Sequence, residues 1–336
     1  MGSTAVEQDG LVIPIINFSD FLSGSPESKA ATAKAILTAF QTSGFLYLSH
    51  TPIPPDLLTS VFANSASFFD HGEDFKRKYL WTTPDANRGY SAPGREKVTQ
   101  LTKPDEVESL REKVPDLKES FEIGREDEPG HPNRWPELAG FREVMAEFHR
   151  RCHELNVEVM RAIAVGMGLG EGFFDGFVDR GDNTLRLLHY PAVGKERFEQ
   201  GAIRAGEHSD YGSITLLFQD GRGGLQVRAP GGRFVDARPV EGTVVVNAGD
   251  LLARWANDGV KSTIHRVVEP PPPKEEGESE EVKEYPARYS VAYFCNPNFD
   301  SFIEAIPGTY GGEKGEKKYE GIYSGEYLVQ RLSATY

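Results

Sequence analysis

Leu185-Arg-Leu-Leu-His-Tyr190 opens a series of short segments, rich in β-branched and aromatic residues, in the second half of the chain. Glycine and proline clusters separate these segments, as at Gly221-Arg-Gly-Gly224 and Pro230-Gly-Gly232. Several short strands at such spacing are typical of a β-sandwich or barrel. We therefore predict a mainly β fold with flanking helices, whose core is a double-stranded β-helix (jelly roll). The other segments are Ile214-Thr-Leu-Leu-Phe218, Leu225-Gln-Val227, Thr243-Val-Val-Val-Asn247, Ser262-Thr-Ile-His-Arg-Val-Val268 and Arg288-Tyr-Ser-Val-Ala-Tyr-Phe294.

The first half of the chain mixes helix and strand patterns. Leu11-Val-Ile-Pro-Ile-Ile-Asn-Phe18 predicts a buried strand, and Ser25-Pro26-Glu27 predicts a helix start. We expect residues 81–135 to be rich in loops. Residues 1–180 are predicted to form an α/β leader region packed on a jelly-roll domain over residues 181–336. Apolar residues at helical spacing predict helices around residues 33–40, 57–69, 141–163 and 327–332.

Charge and composition narrow the classes of partner. The 336 residues carry a net charge of −14, so neither a nucleic acid nor an anionic membrane is an expected partner. Residues Glu269 to Glu284 are acidic and rich in proline, and this run includes an acidic insertion at 274–284. The composition predicts an exposed hairpin extension without a catalytic role. Only two cysteines are present, and neither a secretory signal nor a membrane span is visible. We expect a cytoplasmic protein with no obligate protein partner.

Three residues predict a metal site. His208 and Asp210 lie two apart on a predicted strand, so their side chains should share one face. His265 comes much later and could return on a facing strand. Two histidines and one carboxylate form the facial triad typical of non-haem Fe(II) oxygenases. The same three residues also suit a zinc hydrolase, or a structural metal in a non-catalytic jelly-roll protein.

A second pair of residues predicts an anion site. Arg288 and Ser290 also lie two apart on a predicted strand. A guanidinium offers a planar fork of donors that suits a carboxylate. A surface arginine beside a strand serine is the alternative. The order of the motifs along the chain favours a metal with a dicarboxylate beside it.

These motifs resemble those of the Fe(II)/2-oxoglutarate-dependent oxygenases of the isopenicillin N synthase-like family. The resemblance implies that His208, Asp210 and His265 bind Fe(II). It also implies that Arg288 and Ser290 bind 2-oxoglutarate, with Tyr190 as a third contact, and that O2 is a co-substrate. The matching stretches are Leu185-Arg-Leu-Leu-His-Tyr-Pro191, His208-Ser-Asp-Tyr-Gly-Ser213, Gly223-Gly-Leu-Gln-Val227, Asn247-Ala-Gly-Asp250, Lys261-Ser-Thr-Ile-His-Arg266 and Arg288-Tyr-Ser290.

A narrower resemblance, to the fungal thymine dioxygenases within this family, covers nearly the whole chain. It implies a small pyrimidine base as partner, whose 5-methyl group is oxidised stepwise to alcohol, aldehyde and acid while 2-oxoglutarate yields succinate and CO2. The same chemistry on another small planar or natural-product substrate is the alternative. The matching stretches include Trp81-Thr-Thr-Pro-Asp-Ala-Asn-Arg-Gly-Tyr-Ser-Ala-Pro-Gly-Arg-Glu-Lys97, Glu122-Ile-Gly-Arg-Glu-Asp-Glu-Pro-Gly-His131 and Ala292-Tyr-Phe-Cys-Asn-Pro297.

Four residues are candidates for contact with the substrate. Arg186 should face inward with Tyr190, since both lie at even spacing on one predicted strand, and it could donate to a ring carbonyl. Phe294 shares a face with Arg288 and could stack on a flat ring. Tyr211 directly follows Asp210. A purely packing role is the alternative for Tyr211 and Phe294. For Asn247, a polar contact to the substrate and a structural role at a strand end both stay open.

Overall fold

The described residues form two main β-sheets with helices packed against them. The computed structural model of the chain describes residues 3–96, 116–199, 203–269 and 284–335. Most of the predicted acidic extension therefore lies outside the described residues. The strands are β1 (Thr4–Gln8), β2 (Leu11–Asn17), β3 (Phe45–Ser49), β4 (Gly89–Ser91), β5 (Glu119–Ile123), β6 (Thr184–Tyr190), β7 (Val193–Gly194), β8 (Ala205–His208), β9 (Ile214–Gln219), β10 (Leu225–Arg228), β11 (Phe234–Asp236), β12 (Thr243–Ala248), β13 (His265–Val267), β14 (Glu284–Tyr285), β15 (Arg288–Cys295), β16 (Phe302–Ile303) and β17 (Ile322–Tyr323).

The larger sheet joins both halves of the chain. Its nine strands lie in the order β1-β2-β3-β12-β9-β15-β6-β5-β4. Strand β3 pairs antiparallel with β12, so that Tyr47 lies opposite Val245. Strand β5 pairs antiparallel with β6. The sheet thus contains strands from both sides of residue 180. The division into a leader region and a jelly-roll domain stays a prediction.

The smaller sheet completes the jelly roll. Its four strands lie in the order β11-β10-β13-β8. An apolar layer packs between the two sheets, with Tyr47 and Tyr190 from the larger sheet and Leu225 and Val227 from the smaller one. Two sheets packed face to face around such a layer form the predicted fold class, which is confirmed.

Helices cover the outer face of the larger sheet. Helix α2 begins as predicted, because Ser25 Oγ accepts the Ser28 N–H at 3.3 Å and Pro26 occupies the first turn. Helix α5 presents its predicted apolar stripe to the core, including Phe148 and Leu155. Among the described residues, no helix combines the length and apolar character needed to cross a bilayer. The helices are α1 (Ser19–Ser23), α2 (Pro26–Thr42), α3 (Pro55–Asp70), α4 (Glu73–Lys76), α5 (Phe141–Gly166), α6 (Asp175–Val178), α7 (Lys195–Glu199), α8 (Asp250–Trp255) and α9 (Ser324–Thr335), with 3-10 turns at Arg77–Tyr79 and Gly312–Lys314.

Residues 81–96 and 116–135 are rich in loops as predicted, but they also contain two strands that were not predicted, and residues 97–115 lie outside the described residues. Strands β4 and β5 lie in this region and extend the larger sheet beyond β6. Every residue of β5 is buried, although two of its five residues are glutamates. Their charges are met by partners from distant parts of the chain, such as Lys76 on Glu119 and Arg186 on Glu122. A local sequence pattern cannot show such partners, so the segment resembles a polar loop.

Candidate active site

A cavity of about 310 Å³ lies between the two sheets and under helix α9. Its volume is at the lower end of the range for small-molecule sites. The structure brings every residue of the predicted site to its wall, at the positions expected from strand alternation on β6 and β15. These residues are His208, Asp210, His265, Tyr190, Arg288, Ser290, Arg186, Tyr211, Phe294 and Asn247.

The three predicted metal ligands converge at one point of the wall. His208 and His265 lie opposite each other on β8 and β13, which are paired neighbours in the smaller sheet rather than facing strands. Strand β8 ends at His208, so Asp210 reaches the site from the segment after the strand. The prediction that strand alternation places Asp210 beside His208 was wrong. Both Nε2 atoms lie 3.8 Å from Asp210 Oδ1. One ligand atom from each residue lies within 4.8 Å of the others.

Hydrogen bonds orient both imidazoles for metal binding. His208 Nδ1 lies 2.8 Å from the Gly206 carbonyl oxygen, and His265 Nδ1 lies 3.1 Å from that of Thr263. A carbonyl only accepts, so each Nδ1 carries the proton and each Nε2 turns a lone pair toward Asp210. Burial and the neighbouring His265 lower the pKa of His208 to about 3, which keeps it neutral. The donor set therefore fits a divalent metal such as Fe(II).

In the described part of the chain, the hydrogen bonds to the Asp210 carboxylate all reach Oδ2. Its Oδ2 accepts from Thr215 Oγ1 at 2.5 Å and from Asn247 Nδ2 at 2.7 Å, which leaves Oδ1 for a metal. Burial raises the pKa of Asp210, but the two imidazoles and these two donors outweigh it, so the pKa is lowered. The turn after Asp210 is tightly packed, because a Cβ on Gly212 would approach the Cys295 carbonyl to 2.3 Å. The direct contact of Asn247 is therefore with the carboxylate of the predicted metal ligand Asp210.

A buried guanidinium lies at the predicted co-substrate end. Arg288 donates from Nε to the Gly223 carbonyl at 2.8 Å, from Nη1 to Ser290 Oγ at 3.1 Å and from Nη2 to Gln219 Oε1 at 3.2 Å. Its Cζ lies 4.9 Å from the centre of the Tyr190 ring. All three acceptors are neutral. A buried cation held by neutral groups favours an anionic ligand, because the charge is otherwise poorly compensated.

Sequence reasoning missed a second buried arginine near this end. Arg204 is fully buried and donates from Nη2 to the Pro286 carbonyl at 2.7 Å. Burial and the charge of Arg288 lower its pKa to about 10. Its Cζ lies 5.9 Å from the Tyr190 ring centre, on which Arg288 also packs. Arg204 lies outside the motifs that mark the site, and no pattern in the sequence distinguishes it from other arginines.

The opposite end of the cavity carries Arg186 and Phe294. The Arg186 Cζ lies 5.2 Å from the Phe294 ring centre. Two carboxylates that sequence reasoning missed also hold this guanidinium: Glu96 Oε1 lies 2.9 Å from Nη1, and Glu122 Oε1 lies 2.9 Å from Nε. Lys118 Nζ lies 3.2 Å from Glu96 Oε2. The charges at this end therefore largely compensate one another.

The C-terminal helix α9 closes this end of the cavity. The Tyr211 hydroxyl lies 2.9 Å from Thr335 Oγ1, and the Arg331 Cζ lies 4.3 Å from the Tyr211 ring centre. Arg331 Nη1 and the Tyr327 hydroxyl both donate to Asp250 Oδ2, at 3.1 and 2.9 Å. Apolar side chains of the same helix line the cavity: Leu328, Val329 and Leu332. A C-terminal helix was predicted from the sequence, but not its contribution to the site.

Comparison with known protein families agrees with this geometry. Residues 181–297 match the 2OG-Fe(II) oxygenase superfamily, and residues 13–138 match the N-terminal domain described as non-haem dioxygenase in morphine synthesis. A 2-oxoglutarate-Fe(II) type oxidoreductase of Metarhizium rileyi is 34% identical over 96% of this chain and 90% of its own. The chain belongs to the 2OG-Fe(II) oxygenase superfamily. Its membership makes Fe(II) and 2-oxoglutarate the cofactor and co-substrate of this site.

Two further relatives show how far substrates diverge among similar chains. A proline hydroxylase of Petromyces alliaceus is 33% identical over 96% of this chain and 98% of its own. The full-length thymine 7-hydroxylase of Neurospora crassa, in complex with alpha-KG and thymine, is 63% identical, covers 99% of this chain and 100% of its own, and superposes with a TM-score of 0.90. The same protein in complex with alpha-KG and 5-formyluracil is 59% identical over 100% of both chains, with a TM-score of 0.88.

Proposed function

We propose that this dioxygenase oxidises the 5-methyl group of thymine stepwise to 5-hydroxymethyl-, 5-formyl- and 5-carboxyuracil, with succinate and CO2 as co-products. The observation that carries the proposal is the pairing of the Arg186 guanidinium with the Phe294 ring in the cavity of the triad. A flat ring with carbonyl groups suits both side chains. The thymine and 5-formyluracil complexes of the Neurospora crassa enzyme support the substrate and its successive products.

The proposal gives each part of the cavity wall its own task. His208, Asp210 and His265 would hold Fe(II) and leave three coordination positions open. Arg288 and Ser290, with Tyr190 beside them, would bind the far carboxylate of 2-oxoglutarate. The bound iron, with 2-oxoglutarate and O2, supplies the oxidising power for hydroxylation. The chain itself orients the two substrates and excludes water.

At the end of the cavity with Arg186 and Phe294, stacking and hydrogen bonds would together bind the base. Phe294 would stack on one face of the ring, and Arg186 would donate to a ring carbonyl. Tyr211, which is half-buried and contacts helix α9, would complete the aromatic wall. Asn247 would act through Asp210 rather than on the base, because its amide donates to the Asp210 carboxylate. The two free, buried cysteines fit the cytoplasm as the proposed location.

A coupled assay tests this proposal. The protein is loaded with Fe(II) without oxygen, then mixed with 2-oxoglutarate, O2 and thymine, and both products are quantified. We expect succinate and 5-hydroxymethyluracil to form in equal amounts at first, followed by the 5-formyl and 5-carboxy products. Succinate formation that thymine does not stimulate would reject thymine as the substrate.

A substrate panel decides between thymine and the alternative of another small substrate. The proline hydroxylase relative makes free proline a suitable competitor, alongside uracil as a base without the methyl group. We expect thymine to have a kcat/KM at least about 100-fold above that of proline, because a pocket built for polar ring groups rejects ligands lacking them. Higher turnover of proline would favour the alternative.

A further inference from the structure

Glu96 has no role in the iron or 2-oxoglutarate site, yet its carboxylate lies on the cavity wall beside Arg186. The residue is only 5% exposed. Burial raises its pKa, but Arg186 and Lys118 outweigh burial and lower the pKa to about 2. At neutral pH the site therefore presents an ionised acceptor next to a guanidinium donor.

The two neighbouring groups match one edge of a cyclic amide. Arg186 Nη1 and Glu96 Oε1 lie 2.9 Å apart, with the Phe294 ring beside the same guanidinium. A pyrimidine base presents a carbonyl next to a ring N–H, which is an acceptor beside a donor in one plane. An ionised carboxylate has about four lone-pair sites, so it can bind Arg186, Lys118 and a further donor together.

We propose that Glu96 recognises the substrate, accepting a hydrogen bond from the ring N–H adjacent to the carbonyl that Arg186 holds. The inference rests on the proposed function and narrows its substrate class to planar rings with an unsubstituted amide edge. Glu122 has a different task. It binds Arg186 Nε at 2.9 Å, is fully buried, and does not line the cavity, so it positions the guanidinium from behind.

Two N-methylated bases make the proposal testable. The ligands are thymine, 1-methylthymine and 3-methylthymine, and the proteins are the wild type and Glu96→Ala. Binding affinity is measured first, without oxygen and in the presence of Fe(II) and 2-oxoglutarate. Turnover is then measured with O2. We expect Glu96→Ala to weaken thymine binding and to lower kcat/KM by at least about 10-fold, as expected when a hydrogen bond to a charged group is lost. For the isomer methylated at the recognised nitrogen, the same substitution should change binding less than about twofold, because that contact is already absent.

Two further variants separate recognition from structure. Glu96→Gln keeps an acceptor oxygen of similar size, and we expect it to lose less affinity for thymine than Glu96→Ala. Glu122→Gln removes the other carboxylate from Arg186 and should weaken all three bases by a common factor. Thermal unfolding and the absorption band of the Fe(II)–2-oxoglutarate complex check that each variant folds and binds its cofactors.

The outcomes distinguish the two proposals. If the wild type oxidises thymine but Glu96→Ala or Glu96→Gln affects all three bases by one factor, Glu96 is structural and only its assignment fails. An unchanged affinity for thymine in both Glu96 variants rejects the assignment as well. A wild type that neither binds nor oxidises thymine rejects the proposed function, and the role of Glu96 with it.

Discussion

The two ends of the cavity are built in different ways. The iron and co-substrate end takes its predicted residues from neighbouring strands and turns of the jelly roll, where they occur as short motifs. The end that carries Arg186 and Phe294, called the base end below, draws on five separate parts of the chain: the segment at Glu96, strands β5, β6 and β15, and helix α9. One end belongs to the shared fold, whereas the other depends on the regions that flank it.

The electrostatic balance differs as well. At the co-substrate end, the acceptors around Arg288 in the described part of the chain are neutral, so an anion completes the site. At the base end, Arg186 already has two carboxylates within 2.9 Å, and Lys118 contacts one of them. Because positive and negative side chains balance one another at this end, it suits an uncharged ligand that carries hydrogen-bond donors and acceptors. The difference fits a dicarboxylate at one end and a neutral base at the other.

Removing Arg288 should give the largest effect and show whether the two ends act separately. We expect Arg288→Ala to raise KM for 2-oxoglutarate by about 100-fold, as for loss of one partner of a buried charge pair. Arg288→Lys should raise this KM less, since lysine keeps the positive charge and loses only the planar fork of donors. Steady-state kinetics with each substrate varied in turn measures this, and KM for thymine should change far less. An unchanged KM for 2-oxoglutarate in Arg288→Ala would show that Arg288 does not bind this co-substrate.

Loss of Asn247 tests whether this residue acts on the metal ligand or on the base. Its amide donates to Asp210 Oδ2 at 2.7 Å. We expect Asn247→Ala to weaken Fe(II) binding by about 10-fold, as found for residues that orient metal ligands. Iron titration followed by the 2-oxoglutarate-dependent absorption band measures the change. A normal affinity for iron together with a raised KM for thymine would instead show contact with the base.

The iron end could be predicted from the sequence almost completely, for a physical reason. His208 ends β8 and Asp210 follows two residues later, so these two ligands form a short motif that is visible in the chain. Two geometric predictions were nevertheless wrong: β8 stops at His208, so Asp210 lies after the strand, and His265 lies on a paired neighbouring strand rather than a facing one. Hydrogen bonds from Thr215 and Asn247, which no local pattern reveals, fix that carboxylate.

The base end could be predicted only in part. Arg186 and Phe294 were found because strand alternation turns them toward the cavity. Glu96 and Glu122 were missed, since a charged residue gains a buried role only through partners remote in sequence. The contribution of helix α9 was missed for the same reason: Arg331 meets Tyr211 and Asp250 only after the chain has folded back.

A smaller effect on KM is expected when the contact between helix α9 and Tyr211 is weakened. Arg331→Ala removes the cation beside the Tyr211 ring and one donor to Asp250. We expect KM for thymine to rise about 3- to 10-fold with little change in KM for 2-oxoglutarate, in line with the strength of a cation–π contact. Lys318→Ala is a suitable control, since Lys318 pairs with Asp258 on the surface. Equal changes in both KM values would mean that the helix supports the whole cavity.

A different kind of effect, on stability and its pH dependence rather than on kinetics, is expected at the base end. Burial raises the pKa of Glu122 from 4.5 to about 7, despite the opposing charge of Arg186. A carboxyl with a raised pKa binds its proton more tightly in the folded protein. Its stabilising contribution is therefore complete below pH 4.5 and is lost as the pH rises toward 7.

Glu122→Gln replaces this carboxyl with an uncharged group and should remove that pH dependence. Relative to the variant, the wild type should lose up to about 3 kcal/mol of unfolding free energy between about pH 4.5 and pH 7.5. Denaturant unfolding of both proteins at several pH values measures the difference, and groups common to both cancel. Asp236→Asn replaces an exposed carboxylate on edge strand β11, so it is the control and should show no such trend. A constant difference between wild type and Glu122→Gln would mean that Glu122 stays ionised in the folded protein. The two full negative charges of Glu96 and Glu122 would then balance the positive charges of Arg186 and Lys118 over this whole pH range, whereas a protonated Glu122 leaves this end with a net positive charge.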